Sequence, residues 1–387
     1  MNRFQGAFKV YSSSNLDFKS YLKLTQLEEI ESAAMKIPSG DNCQPFKIEF
    51  QGDLIIVLYN NELGKHELNI KNIASMISLG SLIQSLEILL SENYKICLEE
   101  IGKIEFNEGK NGFYPVVTLK WKLDSKPEFK KLSPVILKRN TDRRPYGRMP
   151  FSKNLNDELL DLNKKYKYAQ LHLYSTNKIR ENKKILNFLQ RSDEYLWMNK
   201  KALLDFLNWL RWDESHFKKT RDGMSMKNLL INPIVKLFLK IFYKNPKRVD
   251  LLWKFSFKNN INSITKKLVV NSGSIVGFSI KSEDVNEIVE LGRLSFEAWL
   301  ILTKHNCGAQ PLTLATLLSF VYSSKNYNPQ NHNLGKYNDY FQKNFLEGVS
   351  ILQESFCINN TDRKILWALR AGYVNEPLPL QAQTLRR

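Results

Sequence analysis

Residues 79–90, LGSLIQSLEILL, have a counterpart at residues 291–302, LGRLSFEAWLIL. The Leu-Gly pair, the leucine two positions after it and the closing aliphatic residues coincide when the two stretches are aligned. Each stretch lies in a segment, 71–92 or 282–304, whose apolar residues recur at spacings of three and four, which predicts a long helix. The chain therefore contains an internal repeat centred on two glycine-containing helices.

The segments around the two repeat helices follow the same order. A helix and a strand precede the first repeat helix at 22–59 and the second at 153–174, and a strand follows each. We therefore predict an α+β fold of two fused halves, each with a mixed or antiparallel sheet flanked by long helices.

Three composition changes suggest domain boundaries. Residues 126–134 are basic and contain two prolines, which is typical of a linker. We predict a first half at 1–130 and a second half at 131–387. Residues 178–265 form a long helical, aromatic and basic stretch, which we predict to be an insert in the second half.

Local signals place the other elements. Thr25 and Glu28 form a candidate capping box for a helix at 22–36, which ends before Pro38. Ser282 is the predicted N-cap of the second repeat helix, with acidic residues in the first turn. The remaining predicted helices are 153–165, 312–323 and 337–354. The predicted strands are 46–50, 54–59, 94–101, 114–122, 168–174 and 364–374.

The composition excludes several protein classes but leaves the partner open. The 387 residues are 43% hydrophobic and 25% charged, which excludes collagen-like, disordered and disulfide-scaffold proteins. Lys and Arg number 57 against 39 Asp and Glu, a net charge of +18. This surplus favours an anionic partner, whether nucleic acid, anionic lipid or a phosphorylated cofactor. Codon bias in an AT-rich genome explains it equally.

The cysteines and histidines lack the spacing of a metal site. Four cysteines and five histidines are scattered along the chain, and no C-x-x-C occurs. We expect free thiols in a reducing cytosol. We find neither a signal peptide nor an apolar run long enough to span a membrane, and we expect a cytoplasmic protein.

Two polar motifs are candidate binding elements, and each has a simpler reading. In PSGDNCQPF (38–46), a hydroxyl, a carboxylate and an amide lie on a loop between two prolines, suited to a polar heterocycle. A helix stop followed by a turn explains the same residues. In RNTDRRPY (139–146), three arginines and a threonine suit phosphate oxygens. A solvated basic turn is the alternative there.

One further stretch, residues 227–255, is basic and apolar. It could lie on an anionic membrane, or it could pack on its own protein with its lysines reaching outward. We find no nucleic-acid module, P-loop, GxSxG, HExxH or dinucleotide-binding glycine pattern.

Taken together, these segments resemble the nitroreductase superfamily, whose members are FMN-dependent α+β enzymes. The stretch 38–46 is similar to the family's flavin loop, and 139–146 to its arginine-containing element. CGAQPLT (307–313) resembles the segment beside the flavin, and LRAGYVNEPLPLQAQTLRR (369–387) the C-terminal tail. Most of the chain outside 178–265 carries this resemblance.

The resemblance implies one flavin site per chain. Ordinary members are homodimers in which one subunit gives the arginine element and the other gives the loop. Here the first half holds only the loop and the second half only the arginines. The resemblance therefore implies a pseudo-dimer with one FMN, similar to the fused, Acg-like group.

The resemblance also implies site residues. The backbone near Thr313 would approach flavin N5, and residues 196–225 would form a lid that controls substrate access through Trp209, Trp212 and Arg221. The implied cofactor-binding residues are Ser39, Gly40, Asn42, Gln44, Arg139, Thr141, Arg143, Pro311, Leu312, Thr313, Arg386 and Arg387.

Several functions stay open. The resemblance implies hydride transfer at flavin N5, with NAD(P)H as donor if the protein is a reductase, in a redox-stress or biosynthetic role. In a biosynthetic pathway, oxygen could be the acceptor and a peptide or amine the substrate. A flavin-sequestering protein whose lid excludes substrate is the non-enzyme alternative, and a basic membrane or nucleic-acid binder is a third class. We expect a small-molecule or peptide-derived substrate, no metal, and either a pseudo-dimeric monomer or a homodimer.

Overall fold

The computed structural model describes most of the chain. The described residues are 16–123, 131–229, 236–237, 239–240, 258–325, 327, 334–359 and 361–378. Most of the predicted linker, most of the basic stretch 227–255 and both C-terminal arginines lie outside them.

The first part of the chain forms a four-stranded antiparallel sheet with helices packed on it. Its elements are α1 (Phe18–Tyr21), α2 (Leu24–Ala34), β1 (Phe46–Gln51), β2 (Leu54–Asn60), α3 (Asn61–Gly64), α4 (Ile73–Tyr94), β3 (Ile96–Ile101) and β4 (Phe113–Leu123). The strands pair in the order β1-β2-β4-β3. Alternation directs Ile55, Val57 and Tyr59 of β2 into the core, where all three are fully buried.

The second part forms another sheet of four antiparallel strands. Its elements are α5 (Ser133–Ile136), α6 (Lys153–Asp161), β5 (Gln170–Ser175), α7 (Thr176–Glu181), α8 (Lys183–Met198), α9 (Lys200–Asn208), β6 (Leu210–Arg211), α10 (Glu214–Thr220), β7 (Met224–Ser225), α11 (Lys258–Val270), β8 (Ser274–Ile280), α12 (Val285–Lys304), β9 (Cys307–Pro311), α13 (Thr313–Tyr322), α14 (Asn338–Ser355) and β10 (Lys364–Tyr373). The large sheet pairs in the order β5-β8-β10-β9. The α+β fold class predicted from the sequence is confirmed.

The two sheets share one connection pattern. In each, the first two strands are neighbours, a long helix follows, and the last strand inserts beside the second strand. The two long helices, α4 and α12, cross at the Leu-Gly steps of the sequence repeat. A Cβ on Gly80 would overlap the Val289 carbonyl oxygen and lie 2.8 Å from the Gly292 Cα, so only glycine allows this approach.

Helix α4 has the length and apolar composition of a membrane-spanning helix. Its most apolar window is nevertheless 83% buried inside the fold, against α12 and the first sheet. Among the described residues, α4 is the only helix that is both long enough and apolar enough to span a membrane. Its burial is that of a core helix.

The predicted insert 178–265 is only partly a separate unit. Helix α8 packs with α13 and α14 in a core shared with the second sheet. A smaller cluster belongs to the insert itself and contains Leu203, Leu207, Leu210, Met224, Met226 and Leu239. Between α9 and residue 229 the insert also has two short parallel strands, β6 and β7, which the helical prediction did not include.

Both predicted helix caps are wrong in detail. Helix α2 begins at Leu24 rather than around Thr25, and the Gln26 side chain accepts from the Lys23 N–H at 2.9 Å. Helix α12 is capped by Asp284, whose carboxylate accepts from the Asn286 N–H, while Ser282 accepts from the Asp284 N–H. Each cap therefore lies two residues from the predicted position.

Candidate active site

A cavity of about 350 Å³ lies where the first half, the second half and the insert meet. The first half contributes residues 38–43 and 66–69, Pro45, Gly64 and the start of α4. The second half contributes Arg143, residues 310–314 and Arg370, and the insert contributes residues from α8, α9 and α11. Its volume falls within the range of about 300–1,000 Å³ typical of small-molecule sites.

The loop before β1 has an unusual backbone. Asp41, Asn42 and Gln44 have φ values of 46°, 60° and 51°, a region that non-glycine residues rarely adopt. The glycine of this loop, Gly40, is not among the positive-φ residues, and a Cβ there would meet nothing within 4 Å. Strain of this kind concentrates at binding sites, because the surrounding structure must hold it in place.

The predicted loop residues divide into two groups. Ser39, Gly40 and Asn42 line the cavity, whereas Gln44 does not. The Gln44 side chain instead donates to the Arg221 carbonyl oxygen at 2.8 Å.

The same loop is tied to the insert at a second point. The Asn42 side chain donates to the Gly223 carbonyl oxygen at 3.0 Å, and the Gly223 N–H donates to the Asn42 carbonyl oxygen at 3.2 Å. The loop therefore holds the insert over the cavity.

Of the three arginines in RNTDRRPY, only Arg143 lines the cavity, next to Thr141. Its Nη1 donates to the Asn228 carbonyl oxygen at 3.3 Å, and its Nη2 lies 3.7 Å from the Met224 sulfur. Burial lowers the pKa of Arg143, and the nearby charge of Asp41 opposes this. Among the described residues, no carboxylate forms an ion pair with Arg143.

The other two arginines of the motif have structural partners. Arg139 donates from Nε and Nη2 to the Lys36 carbonyl oxygen, at 3.1 and 2.8 Å, and lies over the Trp299 ring. Arg144 pairs with Asp142 at 2.7 Å. Arg139, predicted to bind phosphate, is outside the cavity lining because its guanidinium joins the two halves of the chain.

Arg370 on β10 is a cavity residue that the sequence analysis missed. It is 1% exposed, donates from Nε to the Gln310 side-chain oxygen at 2.8 Å, and stacks on Tyr146 with its guanidinium carbon 4.3 Å from the ring centre. Burial lowers the pKa of Arg370. Like Arg143, it forms no ion pair with a carboxylate in the described part of the chain. Arg370 belongs to the R-x-G-Y of the C-terminal motif (369–387). Only the final arginines of that motif were predicted to bind the cofactor.

The remaining predicted residues are placed as follows. Pro311, Leu312 and Thr313 line the cavity at the start of α13, and the Leu312 N–H donates to the Ala368 carbonyl oxygen. Arg386 and Arg387 lie outside the described residues.

The predicted lid residues lie behind the cavity wall rather than in it. Trp209 stacks on His66 with ring centres 5.4 Å apart, and Trp212 packs on the insert's own core. Arg221 contributes its carbonyl oxygen to the loop contact described above. The insert residues that line the cavity are Asp193, Leu196, Ala202, Asp205, Phe206, Met224, Asn228, Leu229 and Thr265, and Leu268 and Val269 of α11 line it just beyond the insert.

Two titratable side chains that the sequence analysis did not select face the cavity. Burial raises the pKa of Asp193 to about 6, against a hydrogen bond from Thr265 and the charge of Arg370. Burial lowers the pKa of His66, but the nearby Asp41 and Cys43 outweigh it and raise the pKa to about 10. No sequence pattern identified either residue, because both depend on what the fold places around them.

The position related to this cavity by the sequence repeat is occupied by acidic side chains. Ser75 and Ser78 of α4 line the cavity, and the repeat aligns them with Glu287 and Glu290 of α12. Glu290 accepts from the Tyr168 and Ala169 N–H groups. Glu287 accepts from two backbone N–H groups at 3.0 Å. In the second half, the carboxylates of Glu287 and Glu290 therefore take the positions that the hydroxyls of Ser75 and Ser78 have in the first half.

Solved structures of flavin enzymes resemble this fold. The chain is similar to FMN-dependent nitroreductases. NfnB from Mycobacterium smegmatis, solved in complex with NADPH, has 11% identity and a TM-score of 0.34 over 66% of this chain and 94% of its own. A variant of the FMN- and NADPH-dependent nitroreductase NfnB from Sphigopyxis sp. strain HMH has 9% identity and the same TM-score and coverage. A nitroreductase-like protein from Bacillus cereus has 11% identity and a TM-score of 0.28 over 65% of this chain and 90% of its own.

The other comparisons are negative. No family model and no curated protein matches the chain.

Proposed function

We propose that the chain binds one FMN in this cavity and is an FMN-dependent oxidoreductase. The observation that carries the proposal is a pair of guanidiniums in the cavity lining, the fully buried Arg370 and the half-buried Arg143. A buried charge without a carboxylate partner costs free energy unless an anion compensates for it. A phosphate monoester supplies two or more oxygens that match an arginine fork.

The residues opposite the arginines suit the rest of such a ligand. Ser39 and Gly40 present a hydroxyl and an unobstructed backbone, and apolar residues such as Leu317 and Ile77 line the cavity between. A flat, partly polar ring system fits this combination of surfaces. The residues present therefore fit FMN.

FMN, when bound, would supply the two-electron chemistry, with a hydride equivalent passing through its ring. The chain would bind and orient the group: Arg143 and Arg370 hold the phosphate, and the loop 38–45 holds the ring and ribityl side. Asn42 and Gln44 would act on FMN binding indirectly. Their side chains hold the insert, which would exclude water from the cavity.

The finer parts of the function remain proposals. We propose NAD(P)H as electron donor, a small-molecule or peptide-derived substrate and a reducing, cytoplasmic location, since the four cysteines are all free. We also propose that 1–130 and 131–387 are duplicated halves. The shared strand order and the crossing of α4 and α12 at equivalent glycines support this.

A flavin-sequestering protein is the second candidate. The observation in its favour is the set of hydrogen bonds from Asn42 and Gln44 to the insert, which closes the cavity on one side.

One experiment tests the proposal and separates the two candidates. The absorption spectrum of the purified protein is recorded, with added FMN if needed, followed by an anaerobic NADPH titration. A yellow protein that NADPH bleaches is a reductase. A yellow protein that stays yellow favours sequestration or an oxidase, and a colourless protein that FMN cannot reconstitute contradicts the proposal.

A further inference from the structure

His66 is a buried histidine whose ring nitrogens make no hydrogen bond of ordinary geometry with the described residues, although Asp41 and Cys43 act on the ring. Its side chain is 7% exposed, and it lines the cavity on the segment between α3 and α4. Buried polar atoms in native structures are nearly always hydrogen-bonded, so a ring with two unsatisfied nitrogens beside a cavity points to a missing ligand.

The ring is nevertheless fixed on two sides. The Asp41 carboxylate lies 3.5 Å from Nδ1, and the Trp209 indole stacks on the ring at an interplanar angle of 28°. Asp41 belongs to the strained loop and Trp209 to the insert, so the orientation of the ring depends on both being in place. Nε2 is left as the nitrogen without a charged partner.

The charges around His66 favour its protonated form. Asp41 and Cys43 lie on the loop, Glu67 is the next residue, and Asp205 on α9 interacts electrostatically with the ring. Arg143, which interacts with Asp41, is the cation on the opposing wall. Carboxylates therefore dominate the surroundings of the ring, and a proton on the imidazole is stabilised.

We propose that His66 is a catalytic proton donor to the substrate, held in position by Asp41. This rests on the proposed flavin-dependent function and names a residue for it. Two-electron reduction of a polar acceptor needs a hydride equivalent and a proton. FMN, when bound and reduced, would supply the hydride equivalent and both electrons.

The atoms balance with one proton from the protein. The Nε2–H bond of His66 breaks as an O–H bond forms on the substrate, and solvent then reprotonates the neutral imidazole. For a nitroaromatic acceptor, one hydride equivalent and one proton give the nitroso compound and water. Asp41 is a positioning residue that keeps the proton on His66 until the substrate accepts it.

The first test measures the proton itself and needs no turnover. In the full-length chain with ¹⁵N-labelled histidine, NMR titration follows the His66 ring, assigned by its loss in His66→Gln. We expect the ring to be protonated at pH 8, and we expect Asp41→Asn to lower its titration midpoint by at least one pH unit. A ring that is neutral at pH 7 in the unmodified protein overturns the proposal.

The second test compares two electron acceptors in the FMN-loaded protein with NADPH. p-Nitrobenzoate needs a proton on reduction, whereas ferricyanide takes single electrons and needs none. We expect His66→Gln to lower the ratio of p-nitrobenzoate to ferricyanide kcat/KM at least tenfold, and to remove the loss of p-nitrobenzoate rate at alkaline pH.

His305→Gln is the matched control. His305 also pairs with a carboxylate, Glu158 at 2.7 Å, but does not line the cavity, so the ratio should stay within twofold. If His66→Gln binds FMN and keeps the ratio, the inference is wrong and the proposed function stands. If the unmodified protein binds no FMN, or reduces neither acceptor, the inference falls together with the reductase function.

Discussion

Arg143 is the residue on which phosphate binding depends most directly. Arg143→Ala should weaken FMN binding by about 1.5–3 kcal/mol, because a hydrogen bond to a charged group is lost from a buried site. Arg143→Lys should restore only part of this, since an ammonium cannot bind two oxygens side by side. Fluorescence titration of the apoprotein with FMN measures both.

The neighbouring arginine is the control for this prediction. Arg144 is half-buried, pairs with Asp142 and lies outside the cavity lining. Arg144→Ala should therefore leave FMN affinity within about twofold. Equal losses in the two alanine variants would show that the motif acts through its general charge rather than through Arg143.

Asp193 should make stability depend on pH. Its pKa is raised to about 6 from an ordinary value of 3.8, so the folded state binds its proton more tightly than the unfolded state. The stabilisation is fully present below pH 3.8 and is lost as the pH rises through 6. Asp193→Asn should therefore raise the free energy of unfolding of the apoprotein at pH 7.5, by up to about 3 kcal/mol, and change it little at pH 4.

Urea unfolding at the two pH values measures this difference. Asp161→Asn is the control, because Asp161 is exposed and pairs with the surface residue Lys164. The same change in stability at both pH values in Asp193→Asn would contradict a buried carboxyl that titrates near 6.

At the scale of elements, the crossing of α4 and α12 should be the least tolerant point of the fold. Gly80→Ala places a methyl group against the Val289 carbonyl and the Gly292 Cα, so the helices must separate. We expect a loss of about 1–3 kcal/mol or more in the free energy of unfolding. Gly40→Ala is the control, since its Cβ meets nothing, and it should change stability by less than 0.5 kcal/mol, on the order expected at surface sites. Similar losses in the two variants would contradict the close crossing.

The elements found from the sequence are those with a clear period. The alternation in β2 reflects one buried face, whereas the large apolar residues of α4 keep a 3–4 spacing although that helix is buried nearly all round. Strand β8 was missed because all seven of its residues are buried, so it has no alternation to detect. Strand β9 was missed because Cys307–Pro311 has few β-branched residues and is defined by its pairing with β10.

The sequence predicted the cavity residues that belong to a local motif. It did not predict those that only the fold brings together. The loop 38–45 and Arg143 were found from local patterns. His66 and Asp193 were not selected, since no local pattern marks them, and Arg370 was not selected although it lies in the R-x-G-Y of the tail motif. Arg139 was assigned to phosphate although its guanidinium binds the Lys36 carbonyl, because a sequence cannot distinguish an arginine that faces a ligand from one that joins two segments.

At the scale of the whole molecule, the two sheets have the same strand order but unequal sites. The first half gives the cavity its loop and the small serines of α4, and the second half gives it Arg143 and Arg370. At the repeat-related position, the carboxylates of Glu287 and Glu290 accept from backbone N–H groups, so the small side chains that line the cavity have no counterpart there. One functional site per chain is the expected consequence.

Native mass spectrometry of the FMN-reconstituted protein tests this central claim most directly. After incubation with excess FMN and removal of the free ligand, we predict a mass increase of one FMN per 387-residue chain, and a much smaller bound fraction in Arg143→Ala under the same conditions. Two FMN per chain, or no bound FMN at any loading, would contradict a single site built between the two halves.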